Sequence, residues 1–338
     1  MSFISNPKEG LKQVLQELNP DKVAFLVDEN TKAHCLPLFG IDDSSNVIEI
    51  KSGEINKTLA TCTEIWEALT NWGFSRKSLL VNVGGGVIGD MGGFCASTYK
   101  RGIRFVNFPT TLLAMVDANI GGKLGIDFQG FKNHIGIFQD PERVLIHDGF
   151  LKTLAPRELK SGFAEVIKHG LIYDKGYWED VRDGEFPNLN WKEIVEVSAK
   201  IKYKVVTEDP KESGLRKILN FGHTLGHAIE TWYLTNGLSL LHGEAIAVGM
   251  ILEGHLALQL GILSELELKE LSDYILKNYD SIELPKLEEL APLMLQDKKN
   301  IGNELSFSLL NGIGNCLYDQ KVSEEMIHEC MNYYSNLK

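Results

Sequence analysis

The stretch SLLVNVGGGVIGD at residues 78–90 decides the fold. Its first half is a run of apolar and β-branched side chains, which is typical of a buried strand, and the glycines follow at once. Gly84, Gly86 and Gly89 satisfy the pattern G-x-G-x-x-G in the strand-to-helix context that gives this weak pattern meaning. Glycines let the backbone approach a pyrophosphate, and free amides at a helix N-terminus bind anions. The stretch predicts a dinucleotide-binding turn, with a tight structural turn as the alternative.

The ribose of such a dinucleotide lacks its usual partner here. An ordinary dinucleotide fold places an acidic residue about 20 residues beyond the turn, where it binds the ribose. In this chain the corresponding stretch is RFVNFPTT, residues 104–111, and it contains no acid. We therefore expect the ribose to be held differently, so that the domain is not an ordinary Rossmann domain.

Short strand-like segments alternate with longer helical ones on both sides of the turn. This alternation indicates a mainly parallel sheet covered by helices. Strands are predicted at 22–27, 47–50, 78–83, 103–108 and 143–146, and a helix is predicted over 55–72. Later in the chain the helical period dominates, at 156–173, 191–208, 224–233, 243–260 and 265–278, and only 305–310 reads as extended. We predict an α/β fold, with an N-terminal Rossmann-like domain over 1–150 and a mostly α-helical domain over 151–338.

Composition limits the classes of function. The chain has 338 residues, enough for two domains, and 43% of them are hydrophobic. A formal net charge of −12 argues against nucleic acid or an anionic membrane as partner, and an anionic small substrate would need a local cluster of Lys and Arg. We find no signal peptide and no membrane-spanning segment. Five scattered cysteines suit a reducing cytoplasm.

Residues 109–139, PTTLLAMVDANIGGKLGIDFQGFKNHIGIFQ, are too unusual to be only structural. Asp117 and Lys123 bracket a glycine pair inside an apolar run, which is costly unless the charges are paired or bind a ligand. A structural ion pair is the alternative, because such networks also occur away from active sites.

Two pairs of residues have metal-ligand spacing. His223 and His227 are four apart and share one face of a helix, as do Glu165 and His169. Two histidines at this spacing are a familiar zinc pair, although Thr224 stands where a general-base Glu would follow the first. Spacing alone leaves a metal site and core histidines equally plausible.

Several long blocks resemble the 3-dehydroquinate synthase family, within the sugar phosphate cyclase superfamily. They cover nearly the whole chain and stand in the family's order: GGGVIGD, STYKRG, PTTLLAMVDANIGGK, FKNHIG, ELKSGFAEVIKHG, LNFGHTLGH, LHGEAIAVGM and MLQDKKN. Enzymes of this family use NAD and one divalent metal to convert 3-deoxy-D-arabino-heptulosonate 7-phosphate to 3-dehydroquinate and phosphate in the shikimate pathway. The resemblance implies a homodimer acting on this small anionic substrate.

The resemblance also implies which residues bind each group. NAD would contact Asp28, Asn30, Glu54, Lys57, Gly85, Gly86, Val87, Asp90, Thr110, Thr111, Lys123, Lys132, Phe150, Thr153 and Glu158. The metal, Zn²⁺ or Co²⁺, would be held by Glu165, His223 and His242. The substrate would meet Lys123, Lys168, Lys202, Arg216, Asn220, Lys298 or Lys299, and Arg101 of the partner subunit. Asp117, Asn133 and His227 are the candidates for orienting groups and proton relay.

The implied mechanism uses NAD as a catalyst that is not consumed. A ring hydroxyl carbon is oxidised, phosphate is eliminated, the hydride is returned, and ring opening with an intramolecular aldol closure completes the reaction. Leu124 and Phe131 depart from the commonest family pattern, where Thr and Gly are usual. Three rivals remain: a cyclase acting on sedoheptulose 7-phosphate or glucose 6-phosphate, an iron-type NAD-dependent alcohol dehydrogenase, and a non-catalytic binding protein.

Overall fold

The computed structural model describes residues 1–42, 44–129, 131–295 and 305–337. The chain forms two compact units, Met1–Leu159 and Lys160–Lys338. The sequence places the boundary after residue 150, nine residues earlier, because the strand pattern ends there. The short 3₁₀ segment Asp148–Thr153 and the residues up to Leu159 still group with the first unit.

The first unit alternates strands and helices, as predicted. Its strands are β1 (Ser2–Phe3), β2 (Val23–Asp28), β3 (Asn46–Ile50), β4 (Leu79–Gly84), β5 (Arg104–Pro109), β6 (Lys123–Phe128), β7 (Phe131–Phe138) and β8 (Arg143–Ile146). Its helices are α1 (Pro7–Leu18), α2 (Glu29–His34), α3 (Leu59–Asn71) and α4 (Gly86–Thr98). The predicted helix over 55–72 is α3, preceded by the separate 3₁₀ turn Glu54–Asn56.

Six strands form one sheet in the order β1-β8-β5-β4-β2-β3. Every pairing in this sheet is parallel, so the prediction of a mainly parallel sheet is confirmed. Parallel strands need crossover connections, which the intervening helices supply. The β6–β7 hairpin lies outside this sheet as an antiparallel pair and is absent from the prediction.

The core on one side of this sheet is built by α3 and α4. All of β4 is buried, and Leu80 packs in one cluster with Ile65 of α3 and Phe94 of α4. Leu124, one of the two departures from the family pattern, belongs to the same cluster. A Cβ on Gly93 of α4 would lie 2.6 Å from the Leu124 side chain, so a small residue at 93 lets the hairpin pack tightly on this helix.

The second unit is mostly helical, as predicted. Its helices are α5 (Pro156–Tyr173), α6 (Lys175–Asp183), α7 (Trp191–Glu208), α8 (His223–Thr235), α9 (His242–Gln259), α10 (Glu265–Asn278), α11 (Leu287–Leu295) and α12 (Glu324–Asn336). The predicted extended segment is β9 (Ser306–Leu310), which pairs with β10 (Cys316–Lys321), a strand that the sequence did not predict. Among the helices described, none is long and apolar enough to cross a membrane.

Candidate functional site

Several of the predicted dinucleotide residues lie at the carboxyl ends of the parallel strands. β2 and β4 are adjacent in the sheet, but the next strand along the chain lies on opposite sides of this pair: β3 beside β2 and β5 beside β4. This reversal opens a crevice beyond the carboxyl ends of β2 and β4, which is where open α/β sheets bind ligands. β2 ends at Asp28 and β4 ends at Gly84, so both predicted segments border this crevice.

The glycine turn leaves the first amides of α4 without a side-chain cap from its own N-cap residue, Gly85. Such amides, together with the helix dipole, favour a phosphate group. Two of the glycines have no room for a side chain. A Cβ on Gly84 would lie 2.4 Å from the Ile88 side chain, and one on Gly89 would lie 1.8 Å from Asn119 Oδ1. The absence of a side chain therefore lets Gly84 lie close to Ile88 and Gly89 close to Asn119.

A buried lysine gathers several of the predicted residues. Lys57 is 3% exposed, and its Nζ lies 2.7 Å from Asp90 Oδ2, 2.6 Å from Asn133 Oδ1 and 3.9 Å from Glu54 Oε1. Burial lowers the pKa of Lys57, but the charges of Asp90 and Glu54 outweigh it and raise that pKa, so the group stays an ammonium. The ammonium joins the helix after the glycine turn to the hairpin, where Asp127 donates its amide to the Lys57 carbonyl.

Asp117 lies in a five-residue π-helix, Ala114–Ala118, a feature common at functional sites. Asn119, the residue after this π-helix, is hydrogen-bonded to the sheet through buried amide side chains. Asn107 donates to Asn119 Oδ1 at 3.0 Å and accepts from Asn82 Nδ2 at 2.9 Å. This chain of amides was not predicted, and it anchors the segment that leads to the predicted Lys123.

The other predicted residues of the first unit are more dispersed. Thr110 is buried and Thr111 half-buried after β5, while Asn30 is exposed in α2, Lys123 is exposed on β6 and Lys132 is half-buried on β7. The Phe150 ring is buried and stacks 6.3 Å from Phe39, and Thr153 and Glu158 are exposed after it. Val87 is half-buried in the first turn of α4.

Arg101 lies on an exposed turn with an uncommon backbone. Lys100 has φ of 50° and Arg101 has φ of 67°, both in the left-handed region that costs a non-glycine residue about 1–2 kcal/mol. The turn is held by side chains, since Lys100 Nζ donates to the Phe74 carbonyl and Arg76 Nε donates to the Lys100 carbonyl. Arg101 is therefore presented to solvent by a fixed loop.

The three predicted metal ligands meet in the second unit. Glu165 Oε1 lies 3.4 Å from His223 Nε2 and 3.4 Å from His242 Nε2. Metal–ligand bonds of about 2.0–2.1 Å at tetrahedral angles place ligand atoms about 3.3–3.4 Å apart. The two separations from Glu165 Oε1 to the histidine nitrogens therefore fit a zinc-like ion. His227, with ring centroids 4.9 and 5.7 Å from His223 and His242, lies beside them on α8.

The imidazole rings are oriented by acceptors that the sequence did not reveal. His242 Nδ1 lies 3.3 Å from Glu230 Oε2, and His223 Nδ1 lies 3.0 Å from the Phe221 carbonyl oxygen. An acceptor at Nδ1 leaves Nε2 for a metal, and such carboxylate–histidine pairs are usual behind metal ligands. Glu230 is 6% exposed on α8, seven residues after His223. Its spacing from His223 would place it on the histidine face of this helix.

The electrostatics leave the cluster ready to receive a cation. Burial raises the pKa of Glu165, but the charges of Lys168 and His223 outweigh it and hold that pKa well below its usual value. Burial and the charge of Lys168 lower the pKa of His223. His242 differs: burial lowers its pKa, but the hydrogen bonds that its ring donates to the Glu165 and Glu230 carboxylates outweigh burial and raise the pKa to about 9. A cation that binds His242 at neutral pH must therefore displace a proton.

The predicted cations of the second unit are buried or nearly so. Lys168 is 1% exposed and its Nζ contacts Glu165 Oε2 on the same face of α5. Lys202 and Arg216 are 7% and 2% exposed. His169, the other half of the alternative pair, is buried with Nδ1 2.7 Å from Ser198 Oγ. Lys298 and Lys299 lie outside the described residues.

Arg216 and Asn220 are held by one loop. The Asp209 carboxylate accepts the backbone amides of Ser213, Gly214 and Arg216 at 3.0, 2.7 and 3.1 Å. Arg216 Nη1 donates to the Pro210 carbonyl at 2.7 Å. Asn220 Nδ2 donates to Glu212 Oε1 at 2.8 Å. This loop, residues 209–216, positions two of the predicted substrate-binding side chains.

Asp209→Asn is expected to loosen the 209–216 loop. Weakening hydrogen bonds to a charged group costs about 1.5–3 kcal/mol, so we expect KM for a phosphorylated substrate to rise about tenfold, measured by phosphate release. Zinc and NAD affinities should stay unchanged. Burial opposes ionisation of Asp209, but the Gly214, Ser213 and Arg216 amides outweigh it and lower its pKa to about 2.

The pH dependence of this effect follows from that direction. A folded-state pKa below the unfolded one stabilises the protein above the unfolded value, and this stability is lost as pH falls through about 2. The difference in unfolding free energy between wild type and Asp209→Asn should therefore shrink as pH falls from neutral toward that value. Asp273→Asn, an exposed change on α10, is the control, and equal effects of both substitutions on KM would contradict the assignment.

An anion-binding turn on a parallel sheet and a Glu–His–His cluster in a helical unit define a class, the dinucleotide- and metal-dependent enzymes. Two solved structures share the fold. One is 2-epi-5-epi-valiolone synthase from Streptomyces hygroscopicus, with NAD+ and Zn2+ bound, at TM-score 0.86 and 24% identity over 100% of this chain and 97% of that chain. The other is 2-deoxy-scyllo-inosose synthase complexed with carbaglucose-6-phosphate, NAD+ and Co2+, at TM-score 0.83 and 26% identity over 98% and 96%.

The sequence comparisons narrow this class to one family. The model of the 3-dehydroquinate synthase N-terminal domain matches residues 47–161, and that of the C-terminal domain matches residues 162–300. The 3-dehydroquinate synthase of Parabacteroides distasonis is 41% identical over 337 residues, which cover 97% of this chain and 95% of that protein. The chain belongs to the 3-dehydroquinate synthase family, as the sequence blocks predicted.

Proposed function

We propose that the protein catalyses the 3-dehydroquinate synthase reaction, converting 3-deoxy-D-arabino-heptulosonate 7-phosphate to 3-dehydroquinate and phosphate. The observation that carries this proposal is the joint presence, in one unit, of the Glu165–His223–His242 cluster and the buried cations Lys168, Lys202 and Arg216. The chain has a net charge of −12, so a local cluster of buried cations supports binding of an anionic substrate.

The first unit holds NAD in this proposal. The amides at the start of α4 receive the pyrophosphate, and Asp28 and Glu54 are the acids available for the ribose hydroxyls. Lys57 and Asp90 fix the helix start, Thr110 and Thr111 follow β5 at the same end of the sheet, and Lys132 lies on the β6–β7 hairpin. When bound, NAD would supply a reversible hydride acceptor. Oxidation of a substrate carbon to a ketone would make the neighbouring C–H acidic enough for elimination.

Glu165, His223 and His242 hold one divalent metal, for which we propose zinc, with cobalt as a substitute. One carboxylate oxygen and two imidazole nitrogens leave at least one position open for substrate. The bound ion supplies Lewis acidity that lowers the cost of charge on a substrate hydroxyl oxygen. Lys168 keeps Glu165 ionised through its second oxygen, and Glu230 keeps the His242 ring in its binding orientation.

The remaining polar side chains bind and orient the substrate. Lys168, Lys202 and Arg216 neutralise its phosphate and carboxylate, and Asn220 adds hydrogen bonds. Such fixed charges stabilise negative charge as it develops, with no reorganisation during the reaction. Asp117, Asn133 and His227 orient the substrate and relay protons. The departing phosphate can serve as the base for its own elimination, so that the protein's main task is to hold one reactive conformer.

We further propose a cytoplasmic homodimer. All five cysteines are free and buried, which suits a reducing compartment. The exposed, side-chain-braced turn at Arg101 suits a residue that reaches a neighbouring subunit's substrate, and Lys123 is the cation of the first unit assigned to the same substrate. Gel filtration with light scattering tests the dimer.

A substrate panel tests the proposed reaction against the other cyclases. Purified protein with NAD and Zn²⁺ is given 3-deoxy-D-arabino-heptulosonate 7-phosphate, sedoheptulose 7-phosphate or glucose 6-phosphate, and inorganic phosphate is followed. We expect rapid phosphate release from the first substrate alone. Release only from a sugar phosphate without the carboxylate would contradict the proposal, and NADH formation without phosphate would indicate an alcohol dehydrogenase.

A further inference from the structure

Helix α8 begins at a metal-ligand candidate but supplies no cap of its own. Its first residue is His223, and its N-cap residue is Gly222, which has φ of 77° and no side chain to accept a hydrogen bond. The first amides of a helix need acceptors, which a capping side chain usually supplies. The position of His223 therefore depends on what satisfies these amides from outside the helix.

The acceptor is a buried carboxylate from α9. Glu253 is 0% exposed, its Oε2 accepts the Gly222 amide at 2.6 Å, and its Oε1 accepts the Leu225 amide at 3.0 Å. The two oxygens thus span the first turn of α8 on both sides of His223. An anion at a helix N-terminus also interacts favourably with the helix dipole. Hydrogen bonds to an ionised group are shorter and stronger than neutral ones.

The same face of α9 carries both Glu253 and His242. Eleven residues are about three helical turns, so these side chains point in one direction about 16 Å apart along the helix. Between them the backbones of α8 and α9 are in close contact: a Cβ on Gly249 would lie 2.0 Å from the Gly222 carbonyl oxygen, and one on Gly226 would lie 3.2 Å from the Ala245 oxygen. One rigid helix therefore presents a ligand at one end and clamps the helix bearing the other ligand at the other end.

We propose that Glu253 is a positioning residue of the metal site: by capping α8 at Gly222 and Leu225 it fixes His223 against Glu165 and His242. This inference rests on the proposed metal site. Burying a carboxylate is unfavourable unless hydrogen bonds and charge compensate, so a buried glutamate here has to be matched to its amide donors. If Glu253 only stabilised the fold, its substitution would lower the free energy of unfolding, and the folded protein would bind metal with unchanged affinity.

Glu253→Gln tests this distinction, because glutamine keeps the shape but one of its two terminal atoms can no longer accept an amide hydrogen. Zn²⁺ affinity is measured by competition with a chromogenic chelator, and the Co²⁺-loaded protein is examined by its visible absorption spectrum. We expect Zn²⁺ binding to weaken about 10–100-fold, as for other groups that orient metal ligands, with a changed Co²⁺ spectrum and unchanged NAD affinity. Glu253→Asp, which keeps the charge, should lie between Gln and wild type.

Glu267→Gln is the matched control. Glu267 also accepts two backbone amides, those of Ser264 and Ile313, at the start of α10, so its loss should lower stability without changing the metal site. Zn²⁺ affinity and Co²⁺ spectra of the Glu253 variants equal to those of Glu267→Gln would overturn the inference. If Glu253→Gln does not fold, the Asp variant decides by the same two readouts. Failure of wild type to bind Zn²⁺ would instead overturn the proposed metal site itself.

Discussion

Glu165→Gln is expected to abolish Zn²⁺ binding at the second unit and to lower kcat at least about 10³-fold, because several kcal/mol of Lewis-acid stabilisation disappear with the metal. The carboxylate lies 3.4 Å from both histidine Nε2 atoms, and its other oxygen contacts Lys168. A neutral amide would leave the buried Lys168 ammonium without its counter-charge. Metal content by atomic emission and phosphate release measure the two effects.

Glu230→Gln is the graded comparison for this first prediction. Glu230 Oε2 contacts His242 Nδ1, not the Nε2 atom proposed to bind the metal. We therefore expect a 10–100-fold loss of metal affinity instead of a complete loss. A Glu165→Gln protein that keeps its full metal content would show that the ion binds His227 with His223 and His242, whose ligand atoms lie within 4.8 Å of one another. The ligand set proposed above would then be wrong.

Lys57→Met is expected to destabilise the first unit by about 3–5 kcal/mol and to weaken NAD binding, because it leaves the Asp90 carboxylate, which is only 16% exposed, without its partner. Lys57 is 3% exposed, and its ammonium also contacts Asn133 Oδ1 and lies 3.9 Å from Glu54 Oε1. Loss of the ammonium therefore removes its contact with α4 and its contact with the β6–β7 hairpin at the same time. Chemical denaturation measures the first effect and fluorescence titration with NAD the second.

Lys32→Met is the matched control for the lysine substitution. Lys32 pairs with Glu49 at 2.6 Å in the same unit, but the side chains are 51% and 41% exposed. An exposed pair contributes about 0–1 kcal/mol, so this variant should bind NAD like wild type. The double variant Lys57→Met/Asp90→Leu should recover part of the lost stability, since it removes the uncompensated charge. Equal effects of Lys57→Met and Lys32→Met would contradict the account of this cluster.

The sequence predicted the parallel sheet and the helical unit well because their periodic patterns reflect burial. All five predicted strands agree with the structure to within one residue at each end, and three of the later helices agree in full. The hairpin β6–β7 escaped prediction because most of β7 is exposed, so no buried face imposes a period on it. β10 escaped for the same reason, since most of its residues lack full burial.

Spacing along a helix predicted which site residues share a face, but not which helices face one another. Glu165 with Lys168 and His223 with His227 are examples of the first kind, and their contacts are as expected from spacing. Glu230 and Glu253 are of the second kind, because their partners lie 12 and 28 or more residues away on other elements. The family blocks supplied the ligand set, which spacing had left open.

The measurement that most directly tests the central claim is the yield of phosphate per NAD. Purified Zn²⁺-loaded protein is given excess 3-deoxy-D-arabino-heptulosonate 7-phosphate and less NAD than protein, and phosphate and NADH are followed together. If NAD bound at the glycine turn takes a hydride from the substrate and returns it to the same molecule after phosphate has left, many phosphates are released per NAD and no NADH accumulates. Phosphate release that stops at one per NAD, with NADH accumulating in step, would contradict the account.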